Sequence, residues 1–226
     1  MGWSRRLRSE ADPIWREIIA HPFLRELGAG TLAPERFRFF LMQDYPYLKE
    51  FARVLALAVS RGGRLREMSF FAELLHGILE IEMALHRSYC AEFGITQEEL
   101  ESTRLAPTAH GYTRHLLSVG AMGTEAEITA ALLPCMVTYA EIGARLSASP
   151  PAQAPLYVRW IETYASEAFQ QVARRVEEAF DRMEPLVGPE ESERCRDNYA
   201  VSFRYEWMFW EMSYRMETWQ PRGAHR

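Results

Sequence analysis

An all-α fold is predicted for this chain by three observations. Apolar residues recur with a period of about 3.6 in one segment after another, and no stretch alternates cleanly as a strand would. Helix punctuation falls where the periodic segments begin and end: proline in a first turn, glycine after a last turn, and two capping boxes. The 226 residues are 48% hydrophobic, ample for a real core, and no repeat, low-complexity tract or long linker divides them, so a single helical domain over residues 1–226 is expected.

In chain order, a first helix is expected from about Ser9 to Ala20, stopping before His21-Pro22. Pro34, in a first turn, opens a second that reaches about Ser60, where Gly62-Gly63 ends it. A third runs from about Leu65 to Phe93, with Gly94 as its cap. Thr96 and Glu99 have capping-box spacing and start a short helix ending near Arg104, and another short one follows Pro107. Thr124 and Glu127 repeat the capping box and open a helix through "ALLPCMVTYAEIGARL". Pro150-Pro151 marks a loop, "APLYVRWIETY" a short helix, and Ser166 to about Met183 a longer one. Pro189 begins the last, which continues to about Thr218.

Composition narrows the function classes. A net charge of −5 with both signs interspersed offers no basic stripe for phosphates, so nucleic acid is not an expected partner. Charges interrupt every apolar run before the roughly 18 residues a membrane span needs, and the N-terminal "MGWSRRLRSEADPIW" has no apolar signal core. The expectation is a cytoplasmic protein with no membrane partner. Cys90, Cys135 and Cys195 are odd in number and share no close motif, so each thiol is expected to be free.

The helical period places an unusual set of polar and aromatic side chains on buried faces. Asp44 shares a helix face with Phe37 and Tyr47. "YTRHLL" contributes Tyr112, "LLPCMVTYAEIG" contributes Cys135 with Tyr139 one turn later, "WIETYASEAF" contributes Tyr164, and "FRYEWMFWEM" contributes Glu206 with Phe209 and Trp210. A thiol nucleophile, two carboxyl groups and several aromatic walls suit a flat, hydrogen-bonding heterocycle. Read one by one, the same residues have plainer roles: Cys135 as a small core residue, Asp44 paired with Lys49 or Arg53, Glu206 with Arg204 or Arg215, the aromatics as core.

The segments "HPF", "GTL", "FRFFLMQDYPYLKEFARVLAL", "LLPCMVTYAEIG", "YVRWIETYASEAF" and "YEWMFWEMSY", in this order, closely resemble the TenA (thiaminase II) family from about Trp15 to Tyr214. The resemblance implies a haem-oxygenase-like helical fold, usually a homotetramer, and salvage of the pyrimidine half of thiamin. It further implies hydrolysis of 4-amino-5-aminomethyl-2-methylpyrimidine to the hydroxymethyl compound and ammonia. Cys135 would be the nucleophile, as in the branch with cysteine in this motif, and Glu206 the proton donor to the ring nitrogen. Asp44 would accept from the ring amino group, while Tyr47, Tyr112, Tyr139, Tyr164 and Phe209 would stack on the ring or hold the leaving amine and the water. Neither cofactor nor metal is implied. Proline at position 46 departs from the family, and inside a helical pattern it removes a donor and suggests a bend that faces Asp44 and Tyr47 into a pocket, or a kink without functional meaning.

Glu82 and His86 raise a rival, because a Glu and a His one turn apart can bind metal, as in di-iron helical proteins. After His115 the only histidine is His225, so the later helices lack a second ligand set, and a helix-surface position is expected for the pair. His21 as a haem ligand is disfavoured because His21-Pro22 reads as a helix boundary. A regulator or scaffold that kept the fold is the third reading, and a costly set of buried polar groups argues against it.

Overall fold

The computed structural model describes residues 1–220, and within them every regular element is helical. The helices are α1 (Trp3–Glu10), α2 (Asp12–Ala20), α3 (Pro22–Ala29), α4 (Pro34–Arg61), α5 (Leu65–His76), α6 (Met83–Glu92), α7 (Gln97–Ser102), α8 (Pro107–Met122), α9 (Glu125–Ser147), α10 (Pro155–Ala165), α11 (Glu167–Met183) and α12 (Pro189–Arg215). One π-helical turn, Gly77–Glu82, joins α5 to α6 without a break, and a 3-10 turn, Glu184–Leu186, follows α11. His225 lies outside the described residues.

Helix α9 forms the axis of the bundle. It is buried almost all round from Ala126 to Gly143, and α4, α8, α10, α11 and α12 pack against it. Its start is fixed by the capping box, with Thr124 Oγ1 accepting from the Glu127 N–H at 3.3 Å and the Glu127 carboxylate accepting from the Thr124 N–H at 3.2 Å. The second capping box, Thr96 with Glu99, opens α7 as expected. An aromatic cluster fills the space where α4, α10 and α12 face α9. Phe40 stacks on Trp210 with ring centroids 5.4 Å apart, and Trp160 meets Phe40 edge-on at 6.0 Å.

Gly143 sets how closely α10 approaches α9. A Cβ there would lie 2.4 Å from the Tyr164 carbonyl carbon and 2.6 Å from the Ala165 nitrogen, so backbone meets backbone. That approach seats Tyr164 against Tyr139, with ring centroids 4.9 Å apart. Gly143→Ala is therefore expected to cost about 1–3 kcal/mol of stability or more through overpacking. Thermal unfolding checks it, and an unchanged melting temperature would show that α10 yields freely.

Four differences from the sequence reading have physical causes. The first expected helix is two, because the chain turns at Ala11, and α1 starts earlier, at Trp3. The segment after His21 is helical: Pro22 occupies its first position and His21 Nδ1 accepts from the Phe23 N–H at 3.1 Å, an imidazole doing the work of the usual Ser or Asp cap. The third expected helix has the right extent but contains the π turn. The last helix ends at Arg215, where Met216 takes a left-handed conformation with φ 49°. Helix α4 runs through Pro46 without interruption, and Pro46 faces outward beside Lys49, Glu50 and Trp219 while Asp44 and Tyr47 are buried.

Candidate functional site

Helices α4, α9, α10 and α11 and the π turn enclose a small cavity of ≈ 30 Å³ lined by Asp44, Glu82, Cys135, Tyr139 and Tyr164, with apolar walls that include Ile78, Met136 and Phe169. Asp44 comes from the buried face of α4, Cys135 and Tyr139 from successive turns of α9, and Tyr164 from the end of α10. Cys135 follows Pro134, which has no N–H to return to the Ala130 carbonyl. Four of the eight residues expected at a site thus share one cavity.

The other four form a layer behind it. Tyr112, on α8, donates to Glu206 Oε1 at 2.7 Å, and Thr138, one turn after Cys135 on α9, donates to Glu206 Oε2 at 3.2 Å. Tyr47 lies between Tyr112 and Phe209, with ring centroids at 5.1 and 5.4 Å. Phe209 backs Tyr47 and touches Phe40 rather than lining the cavity. Tyr139 is held among Trp160, Tyr164 and Trp210.

The plainer pairings expected for the two acids are absent. Lys49 is taken by Glu101 at 2.5 Å, Arg53 by Glu50, and Arg215 by Glu211. Asp44, 3% exposed, has His86 as its basic neighbour, whose Nε2 lies 3.4 Å from Asp44 Oδ2 without completing a hydrogen bond. His21 is no free ligand: Nδ1 caps α3 and Nε2 faces Glu211 Oε2 at 3.1 Å.

Burial governs the acid–base character of the site. It raises Glu206 to about 7, against the hydrogen bonds from Tyr112 and Thr138 and with a smaller contribution from Asp44. Glu82 also rises to about 7, again mainly by burial and then by Asp44. Glu82 as a whole residue is only half-buried, but its carboxyl end faces the cavity, where Tyr164 donates to it at 3.3 Å. Burial, followed by the Glu206 charge, holds the Cys135 thiol well above its usual range, while the Tyr47 hydroxyl beside the sulfur acts in the opposite direction. Tyr47 Oη completes no hydrogen bond among the described residues. With no ligand bound, Cys135 is a neutral thiol at neutral pH, and thiolate formation needs a base.

These shifts have a consequence for stability. Both carboxyls bind protons more tightly in the folded chain than in the unfolded one, so their contribution is fully present below about pH 4.5 and is lost as pH rises through about 7. Between those limits the two acids are expected to cost the fold on the order of 3 kcal/mol each by pH 8. Denaturant titrations of wild type and Glu206→Gln across this range check the sign. The variant should lose less stability than wild type from pH 5 to pH 8, and parallel profiles would contradict it.

A larger cavity, ≈ 780 Å³, lies elsewhere, between the start of α5 and α11. Arg66, Glu67, Glu73, Arg175, Glu178 and Arg182 line it. Arg175 and Glu73 pair there at 2.6 Å, no cysteine or histidine is present, and size alone does not make it the site of chemistry.

The model of the TENA/THI-4/PQQC family matches residues 8–216. The chain belongs to that family. Among its relatives, the aminopyrimidine aminohydrolase of Halalkalibacterium halodurans is 37% identical over 99% of this chain and 100% of its own length. That of Bacillus subtilis is 36% identical over 97% and 92%. A TenA family transcription regulator from Silicibacter sp. TM1040 superposes with a TM-score of 0.87 at 35% identity, covering 94% of this chain and 97% of its own. A domain with a heme oxygenase-like fold from Shewanella denitrificans, 14% identical with a TM-score of 0.73 and 98% coverage of both chains, shares the architecture alone.

Set within the TenA fold, the π turn corrects the expected surface position of Glu82 and His86. A π turn spends an extra residue, which rotates everything after it by about 100° relative to a regular helix. Glu82 thereby reaches the cavity and His86 is 5% exposed, packed toward Asp44 and within 3.5 Å of Cys90. Among the described residues no group of three His, Cys, Asp or Glu side chains has the arrangement to hold a metal ion. Thr138, Met136 and Phe169 were also missed. Thr138 had a signal, its spacing of three from Cys135; Met136 and Phe169 read as ordinary apolar positions.

Proposed function

We propose that the protein is an aminopyrimidine aminohydrolase of the thiaminase II type, serving thiamin salvage and converting 4-amino-5-aminomethyl-2-methylpyrimidine to the hydroxymethyl compound and ammonia. The observation that carries this reading is the position of Cys135, in one cavity with Asp44 and under the strongest electrostatic influence of Glu206. Relatives covering nearly the whole chain and named for this activity support it.

Direct displacement at the exocyclic carbon is slow because the ring is electron-poor and the amine leaves poorly. Covalent addition reverses the electronics. Glu206, as carboxylate, takes the Cys135 proton, sulfur bonds to the ring carbon beside the substituted one, and Glu206 delivers the same proton to the adjacent ring nitrogen. One proton moves and no full negative charge accumulates on the ring. Tyr47 donates to sulfur while it is anionic, and Tyr112 and Thr138 keep Glu206 oriented. The electron-rich adduct expels ammonia from the exocyclic carbon, with the ring amino nitrogen sharing the positive charge opposite Asp44. Water adds to that carbon and gives up one proton to the departing ammonia, sulfur leaves, and the proton on the ring nitrogen returns through Glu206 to the sulfur.

At ≈ 30 Å³ the cavity admits water but not a ring, so binding displaces part of the Ile78, Met136 and Phe169 wall. A cytoplasmic setting and assembly as a homotetramer belong to the same proposal and rest on composition and family resemblance. Incubation of the purified protein with the aminopyrimidine, its N-formyl derivative and thiamin, following hydroxymethylpyrimidine release, tests the function. Turnover of the aminopyrimidine is expected. Turnover of none of the three would favour a binding or regulatory role.

Asp44→Asn places an amide where the ring amino group needs an acceptor. Affinity for hydroxymethylpyrimidine should fall by about 1–3 kcal/mol, together with turnover. Calorimetric titration checks it, and unchanged affinity would remove Asp44 from the ring contact.

A further inference from the structure

Glu82 is a buried-facing carboxyl that the mechanism above does not use. It shares the cavity with Asp44, so two acids meet there, and among the described residues no arginine or lysine pairs with either. The nearby cations are engaged outside: Lys49 with Glu101, Arg53 with Glu50, Arg38 with Glu99. A second polar group is left incomplete at the same place, the His86 Nε2, 95% buried and 3.4 Å from Asp44 Oδ2 with no hydrogen bond made. Buried polar groups are normally satisfied, and two carboxyls that share only the His86 imidazole as a basic neighbour are complementary to a small cationic ligand.

The order of groups around the ring says where that cation sits. Going round the pyrimidine, the protonated nitrogen is followed by the attacked carbon, then the carbon bearing the aminomethyl group, then the carbon bearing the amino group. In the protein, Glu206 is held by Tyr112 and Thr138, Cys135 feels the charge of Glu206 first and then of Glu82 and Asp44, and Glu82 shares the cavity with Cys135, Asp44 and Tyr164. If Glu206 serves the nitrogen, Cys135 the attacked carbon and Asp44 the amino group, the remaining acid matches the remaining substituent. Tyr164 steadies it, its hydroxyl donating to Oε1 at 3.3 Å. The π turn is what brings it there.

Resting on the aminohydrolase reading, we propose that Glu82 receives the substituent of the exocyclic carbon, pairing with the aminomethyl ammonium and then taking a proton from the water that replaces it. The step balances. The ammonium binds against the Glu82 carboxylate, the C–N bond breaks with its electron pair leaving on ammonia, and the adduct keeps the positive charge. Water bonds to the exocyclic carbon and gives one proton to Glu82, which passes it to ammonia as ammonium departs. Glu82 thus selects the aminomethyl substrate over neutral ring analogues. Its acidity, near 7, leaves it mostly ionised at slightly alkaline pH, where the aliphatic amine still carries its proton.

The test is calorimetric titration near pH 8 on the Cys135→Ser background, where the substrate is not consumed, with and without Glu82→Gln. The aminomethyl compound is compared with the neutral hydroxymethyl compound. Glu82→Gln should weaken the aminomethyl compound about tenfold or more and the hydroxymethyl compound less than about twofold, the latter also showing that the variant folds. Equal weakening of both, or of neither, overturns the assignment. Failure of both compounds to bind the Cys135→Ser parent overturns the aminohydrolase reading itself, a different result from either.

Discussion

Cys135→Ser should abolish hydrolysis, by at least about 10³-fold in kcat, while the fold and affinity for hydroxymethylpyrimidine stay close to wild type. The hydroxyl is nearly isosteric with the thiol, and the site around it is formed by neighbours that the change does not touch. What changes is nucleophilicity. In wild type, burial already holds the thiol well above its usual range, and attack depends on Glu206 removing the proton as the C–S bond forms. A serine hydroxyl is far less acidic still, and a carboxylate near 7 is too weak a base to prepare it. Cys90→Ser and Cys195→Ser should leave kcat within about twofold, because neither sulfur lines the cavity and burial pushes each up to about 12, with Asp44 adding to the rise at Cys90. Steady-state kinetics on the three variants check this. Wild-type turnover by Cys135→Ser would remove the covalent step.

Glu206→Gln is the second large effect, an expected fall of about 10²–10⁴-fold in kcat with the Michaelis constant changed little. The amide keeps the shape of the carboxyl and still accepts from Tyr112 or Thr138 through its oxygen. It can neither take a proton from sulfur nor give one to the ring nitrogen, so both halves of the shuttle fail. The variant should also retain bound hydroxymethylpyrimidine, since ring contacts from Asp44 and the aromatic walls remain. A raised Michaelis constant with unchanged kcat would make Glu206 a binding group and exchange its role with that of Asp44.

The fold was legible because its signals are local. Pro34, Gly62, Gly94, the two capping boxes and Ser166 act within a few residues of themselves, and the helices they delimit are present where expected. The break at Ala11 was less visible, since the apolar period continues across it from Leu7 to Trp15. The helix after His21 was missed because an imidazole is an unusual cap. Site residues showed as polar groups on apolar faces, and Asp44, Cys135, Tyr139 and Tyr164 do meet. Glu82 could not be placed so, because a π turn leaves no mark in residue types and shifts the phase of everything after it. Which tyrosine faces the cavity and which stands behind it depends on crossings such as Gly143 against Tyr164, a distance that no single helix encodes.

The central claim is that the Cys135 sulfur attacks the ring carbon next to the substituted one. A substrate analogue carrying chlorine at that carbon, 4-amino-5-aminomethyl-6-chloro-2-methylpyrimidine, turns the addition into a permanent mark: sulfur adds, chloride leaves, and a stable thioether remains. Peptide mass spectrometry after incubation should find one label per chain, on Cys135, suppressed by excess hydroxymethylpyrimidine. A label confined to Cys90 or Cys195, or none at a concentration where the analogue demonstrably occupies the site, would contradict it.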